Sequence, residues 1–224
     1  MGLISVRHIS KVFGESPGVV VALKDVSLDI EKGEFIAIMG PSGSGKTTLL
    51  SILGAMSTPT HGEVVIDGVS LYSLSIEELA DFRARRLGFV FQQVHLISYL
   101  TVIENVMLPL VISKERGSLW NIACSALQQV GLEHKVHYLP GQLSSGEQAR
   151  VAMARAMVKA PPIILADEPT GNLDSKTGKD IVHLLQAANE QGHTIIMVTH
   201  NKDVAGEAKK LIYLRDGMII ASDE

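Results

Sequence analysis

Residues 34–50, EFIAIMGPSGSGKTTLL, decide the fold: an apolar run, a glycine-rich turn and a helix start follow one another without interruption. Phe35, Ile36, Ala37, Ile38 and Met39 make the continuous apolar segment expected of a central parallel strand. Gly40, Gly45, Lys46 and Thr47 then fit G-x-x-x-x-G-K-[ST]. In that pattern the glycines let backbone N–H groups wrap phosphate oxygens, the lysine meets the outer phosphates and the hydroxyl reaches Mg²⁺. The helix carried onward by Thr48, Leu49 and Leu50 adds the positive end of its dipole. A glycine-rich surface turn beside an unrelated lysine would lack that strand and that helix. The stretch predicts a nucleoside triphosphate; it does not say for what purpose.

The 224 residues suit one α/β core with a modest insertion. With 46% hydrophobic residues, 20% charged residues and a formal charge of −4, nothing points to a polyanion-binding surface, so nucleic acid is not an expected partner. The single cysteine, Cys124, has no internal disulfide partner and fits a reducing compartment as a small core residue. Residues 1–9 alternate like a strand and lack the apolar core of a signal peptide, and no run of about 18 apolar residues could span a bilayer. A membrane role would need another chain to supply the spans.

Upstream of the loop, residues 3–13 and 19–30 both alternate apolar and polar, separated by the turn sequence GESPG, and predict antiparallel strands. Phe13, the only aromatic residue before the central strand, either faces a nucleotide base or packs within this layer. Downstream, PTHGEVVIDG predicts a short strand between turns, and residues 75–86 a capped amphipathic helix with acids early and bases late. LGFVFQQ predicts a second buried strand ending in Gln92 and Gln93. A glutamine at the carboxyl end of such a strand is placed to sense phosphate and metal. From 94 to about 160 the pattern is helical, with Trp120, Leu127 and Val130 expected in the core. His134 and His137 lack the further ligands that zinc would need.

PPIILADEPT restores the α/β pattern, its strand delivering Asp167 and Glu168 together. A helix over 175–192, the strand TIIMVTH ending in His200, and a hairpin around Asp216-Gly217 complete the chain. In a parallel sheet, strand ends on one edge share a crevice, so the loop after Met39, the Asp167-Glu168 pair and His200 can converge. An acid after four apolar residues suits Mg²⁺, and a second acid beside it can orient or deprotonate water. LSSGEQAR, residues 143–150, admits two readings. Ser144, Ser145 and Gly146 expose helix-start N–H groups to an anion, or Ser144 and Glu147 form a reciprocal cap.

In this order the motifs resemble those of the ATP-binding subunits of ABC transporters, over essentially the whole chain. The resemblance implies an α/β fold: a P-loop NTPase core of mixed, mainly parallel sheet, with an N-terminal antiparallel β layer and an inserted α-helical subdomain. It forms a single domain, with 1–93 and 161–224 as catalytic core and 94–160 as helical signature subdomain. GPSGSGKTT resembles the Walker A loop, implying nucleotide contacts at Gly40, Ser42, Gly43, Ser44, Gly45, Lys46, Thr47 and Thr48. Gln92 matches the Q-loop residue, LSSGE the signature, ILADE the Walker B strand with Glu168 as catalytic carboxylate, GNLD the D-loop ending in Asp174, and His200 the switch histidine. Phe13 falls where the family places an aromatic residue against adenine.

The resemblance implies an ATPase in which two copies sandwich two ATP molecules head to tail. Lys46 and the loop amides would hold phosphate, Thr47, Gln92 and Asp167 would serve Mg²⁺, and Ser144, Ser145 and Gly146 would come from the opposite copy. Glu168 would polarise water and His200 would hold it in register. MGPSGSGKTTLL, GFVFQQ and ADEPTGNLDSKTG are similar to the lipoprotein-release and macrolide-export branch. That similarity implies a peripheral protein on the cytoplasmic face of the inner membrane, homodimeric with ATP and bound to an integral membrane permease that exports a lipophilic or peptide-like substrate or heme. A partner helix is expected to dock near residues 92–99, with Leu96 and Tyr99 in contact. Transmembrane regulation without transport is the alternative, and a small-metabolite kinase is disfavoured because it needs no signature helix. Ser145 departs from the family's usual glycine, and a slower ATPase is expected from it.

Overall fold

The computed structural model describes residues 2–14, 18–112 and 117–223. Of the turn expected at 14–18, residues 15–17 lie outside the described residues. The chain runs β1 (Ile4–Phe13), β2 (Val20–Ile30), β3 (Phe35–Met39), α1 (Lys46–Leu53), β4 (His61–Ile66), β5 (Val69–Ser70), α2 (Ile76–Arg86) and β6 (Leu87–Phe91). It continues through α3 (Val102–Ile112), α4 (Leu119–Gln129), α5 (Ser145–Met157), β7 (Ile163–Asp167), α6 (Ser175–Glu190), β8 (Thr194–Val198), α7 (Lys202–Ala205), β9 (Lys210–Arg215) and β10 (Met218–Asp223).

The strands form two sheets. An antiparallel sheet has the order β2-β1-β4-β5, and a six-stranded sheet has the order β10-β9-β3-β8-β7-β6. In the larger sheet every pairing is parallel except the β9–β10 hairpin. Its turn residues Asp216 and Gly217 both have positive φ, 49° and 79°, the conformation that a tight two-residue hairpin demands.

The buried β3 shows why one strand can carry two layers. Phe35, Ala37 and Met39 join the core beneath α3, α4, α5 and α6, while Ile36 and Ile38 join the core shared with β1, β2, β4 and α1. This is the period of two expected of a strand with packed layers on both faces. The helical stretch has no core of its own: Val102, Val106, Leu127 and Met153 share one cluster with Val90, Ile164 and Met197 of the sheet. Helix α2 opens with the expected cap, Ser75 Oγ accepting from the N–H of Glu78 at 3.2 Å while Glu78 accepts from the N–H of Ser75 at 2.8 Å.

Trp120 departs from its expected place. Leu127 and Val130 are core residues, but Trp120 is 42% exposed and its ring lies 5.7 Å from that of His137. The buried face of α4 is otherwise built from Ala123, Ala126 and Leu127. Trp120 stands in the first turn of α4, at the edge of that face, where its ring meets His137 instead.

Candidate functional site

Strand order places the expected groups side by side. Val198 of β8 pairs with Ile38 on one side and Asp167 on the other, so the ends of β3, β8 and β7 stand in one row. The loop after β3 needs its glycines for want of space. A side chain at Gly45, φ +101°, would collide with the carbonyl of Ala22, and one at Gly40 would collide with that of Leu214. β2 and β9 thus press on the loop from outside the row.

Within the loop, Lys46 is buried and its Nζ donates to the carbonyls of Gly40 at 2.8 Å and Pro41 at 2.9 Å. Its hydrogen bonds go to neutral carbonyls, and the negative charge near it is the Asp167 carboxylate, whose ionised form it favours. Ser44 Oγ is buried with no hydrogen-bond partner among the described residues. An anion in the loop would satisfy both groups. Ser42 and Gly43 are exposed on the loop, and Thr47 and Thr48 open α1 immediately after Lys46.

Thr47 Oγ1 donates to Asp167 Oδ1 at 3.2 Å. Burial pushes the Asp167 carboxyl above its ordinary value; the Thr47 hydrogen bond acts against this, and neighbouring Glu168 adds to it. A partly desolvated carboxylate beside a hydroxyl is a hard-oxygen donor pair of the kind Mg²⁺ takes. Glu168 adopts φ +45°, rare for a residue with a side chain, and its N–H donates to the carbonyl of Val198 at 2.9 Å. That turn aims its carboxylate at the end of β8, where Glu168 Oε1 is 2.9 Å from His200 Nδ1.

Gln92 follows Phe91, the register partner of Asp167, but makes no hydrogen bond to Thr47 or Asp167 among the described residues. Its carbonyl accepts from Asn172 Nδ2 at 3.2 Å, and its amide lies against Gly171, where an added Cβ would sit 2.8 Å from Nε2. Ser144, Ser145 and Gly146 start α5, and both expected readings of that start meet here. Ser144 Oγ accepts from the N–H of Glu147 at 3.3 Å, and Glu147 Oε2 accepts from the N–H of Ser144 at 2.9 Å, so the reciprocal cap is formed. Ser145 is exposed and lines a cleft, whereas Gly146 is buried. No hydrogen bond among the described residues joins this helix start to residues 40–48 of the same chain. Asp174 caps α6, accepting from the N–H groups of Lys176 and Thr177 at 3.0 Å each. Phe13 is exposed at the end of β1 with Lys11 Nζ 4.9 Å above its ring. It pairs with Val20, two residues before the Ala22 that touches the loop.

The structure adds residues that sequence patterns did not single out. Arg155, half-way into the last turns of α5, donates to the carbonyls of Val94 at 2.6 Å and His95 at 2.8 Å, and burial lowers its affinity for its proton. An arginine interrupting the small and apolar run of α5 was the signal. Asn105, fully buried in α3, donates to the carbonyls of Ile97, Leu100 and Thr101 and accepts from the N–H of Ile97. Two clefts flank the stretch these residues hold. One, of about 520 Å³, runs from Gln92 and Leu96 to Ser145 and Gln148. The other, of about 550 Å³, is lined by Phe89, Phe91, Leu108, Pro109 and Ile112. Tyr99 is 79% exposed.

A family model described as ABC transporter matches residues 23–171. The chain is 48% identical over 219 residues to MJ1508, an uncharacterised ABC transporter ATP-binding protein of Methanocaldococcus jannaschii, covering 97% of this chain and 98% of that one. It is 44% identical to the macrolide export ATP-binding/permease protein MacB of Aggregatibacter actinomycetemcomitans, aligned over all of this chain but only 35% of MacB. Among solved structures it superposes with a TM-score of 0.92, at 43% identity, on dimeric MJ0796 in a post-hydrolysis state bound to ADP and Pi, covering 99% and 98% of the two chains.

Proposed function

The chain belongs to the ABC transporter ATP-binding family and is an ABC ATPase, and from that premise we propose that it drives a separate integral membrane permease of the macrolide-export type. The observation that carries this is the extent of the match: the chain aligns end to end with about a third of a MacB protein whose name includes a permease. No helix among the described residues is long and apolar enough to cross a membrane. The chain would work peripherally, on the cytoplasmic face of the inner membrane, with no nucleic acid partner. The exported substrate would be lipophilic, peptide-like or heme.

In the catalytic cycle, Lys46 would exchange the carbonyls of Gly40 and Pro41 for phosphate oxygens, and Ser44 Oγ would gain its missing partner. Phe13 would stack on adenine. Bound Mg²⁺ would neutralise charge on the β- and γ-phosphates. Thr47 and Asp167 already form the pair of oxygens that would hold it, and Gln92 would complete the set by leaving Gly171. Because no hydrogen bond among the described residues joins the α5 start to the chain's own loop, Ser144 and Gly146 would serve the nucleotide of a second copy, with Asp174 beside the same interface. This is a head-to-tail homodimer, and the dimeric MJ0796 structures support it. Ser145 would enter that interface with a hydroxymethyl group where a glycine allows closer approach, slowing turnover.

Glu168 would draw a proton from the attacking water, and His200, 2.9 Å away, would hold water and γ-phosphate in register. Catalysis is then chiefly positioning and charge stabilisation. The permease would insert a helix into the apolar cleft at Phe89, Phe91 and Ile112. This cleft, more than the contacts expected at Leu96 and Tyr99, offers the apolar lining such a helix requires.

The test is ATPase rate for the chain reconstituted in lipid with its co-encoded permease, with and without candidate heme, macrolide, peptide and lipoprotein substrates. Stimulation by one class is expected; hydrolysis indifferent to all of them would count against a transport role.

A further inference from the structure

The start of α5 is held in place by a residue outside the phosphate chemistry. Gly146 is buried, and a Cβ added there would overlap Thr177 Cγ2 of α6 and lie 3.6 Å from Thr177 Oγ1. The methyl of Thr177 therefore fills the space that Gly146 leaves empty. Its hydroxyl points the other way in function, donating to Asp174 Oδ2 at 2.6 Å. One turn further along both helices, Arg150 Nη2 and Asp180 Oδ2 are 3.6 Å apart. The contact between α5 and α6 is thus fixed at two successive levels, and rotation of one helix start against the other is resisted.

Methyl and hydroxyl of Thr177 branch from one Cβ, so the χ1 that places either one places the other as well. Serine would keep the hydroxyl without the methyl, and valine the methyl without the hydroxyl. Neither could join both partners.

We propose that Thr177 is a positioning residue for ATP hydrolysis. Its two γ substituents tie the Ser144–Gly146 helix start to the Asp174 loop, so that both reach a second copy's nucleotide in one fixed relative orientation. The proposal rests on Ser144 and Gly146 acting as cross-subunit phosphate donors.

Thr177→Ser and Thr177→Val separate the two contacts, with Ser144→Ala as a control on the reading beneath them. Four quantities are compared in the full chain: affinity of the isolated chain for a fluorescent ADP analogue, ATP-driven dimerisation in a Glu168→Gln background, kcat and Tm. Both Thr177 variants should keep analogue affinity within about twofold, since the phosphate loop is untouched, yet lose about fivefold or more in dimerisation and kcat. Their Tm should stay within about 3 °C of wild type. If Ser144→Ala impairs dimerisation while either Thr177 variant dimerises and turns over like wild type, the positioning role is refuted. A fall in kcat matched by a fall in the folded fraction refutes it as well, because packing alone explains that. If Ser144→Ala dimerises normally, the cross-subunit reading fails, and this proposal fails with it.

Discussion

His200 Nδ1 lies 2.9 Å from Glu168 Oε1, and the His200 N–H reaches the second carboxylate oxygen at 3.4 Å. The pair is built by a backbone conformation: Glu168 takes its left-handed turn immediately after β7, and its N–H is tied to β8. Glu168→Gln preserves the shape and removes the proton acceptor. Its ATPase rate should fall roughly 10²- to 10⁴-fold, with ATP affinity retained and an ATP-bound dimer accumulating on size exclusion. Near-normal turnover would remove Glu168 from the chemistry.

The ionised form of Asp167 is costly in the folded chain, because burial raises its carboxyl above the ordinary 3.8. For a raised carboxylate, the folding contribution is present below the unfolded value and lost as pH rises through the folded one. Asp167→Asn should therefore raise Tm at pH 7 in the absence of nucleotide. The difference should close as pH drops below the range in which wild type ionises. Magnesium-dependent hydrolysis should be lost in the same variant. A lower Tm for Asp167→Asn at pH 7 would contradict the sign.

Glu147 behaves in the opposite sense. Its hydrogen bond from Lys135 Nζ, then those from the backbone and side chain of Ser144, hold its carboxyl down at about 2 against an ordinary 4.5. Stability from a depressed carboxylate is complete above its unfolded value and disappears as pH falls through the folded one, here between 4.5 and about 2. Glu147→Gln should cost about 1–2 kcal/mol at pH 7, or about 2–6 °C in Tm. It should also flatten the acid limb of the stability curve between those values. An unchanged acid limb would show that the charge contributes nothing.

Ile112 is 70% exposed at the end of α3, so a charge there should leave the fold intact. Ile112→Glu should keep the isolated chain's ATPase rate and Tm near wild type while abolishing binding to the permease in a detergent pull-down. Leu96 and Tyr99, by this reading, tolerate substitution better. Normal assembly of the Ile112→Glu chain with the permease would move the docking surface elsewhere.

Much of this was legible because the determining features are local. A run such as Phe35–Met39 has to be buried on both faces, and a loop with glycines at 40 and 45 can only be read one way between a strand and a helix. The capping box at Ser75 and the Asp216-Gly217 turn follow from chemistry within four residues. What escaped the sequence depends on distant neighbours. Trp120 has the right spacing for the buried stripe, yet it sits in the first turn of α4, half-exposed beside His137. Gln92 has the right position at a strand end, yet its amide rests on Gly171, far along the chain. Arg155 and Thr177 look like ordinary helix residues until the carbonyl of His95 or the missing side chain of Gly146 is set opposite them.

The phosphate loop also imposes a schedule on synthesis. Gly40 through Thr47 leave the ribosome early, after the Ala22 carbonyl that walls Gly45, but two of their contacts arrive last: the Leu214 carbonyl packs over Gly40, and Gly217 N–H donates to the carbonyl of Ser44 at 3.1 Å. A nascent chain that stops short of β9 and its hairpin turn carries the whole glycine-lysine motif without the contacts of Leu214 and Gly217. Shaping of the loop is thereby tied to a hairpin made of the last strands of the chain.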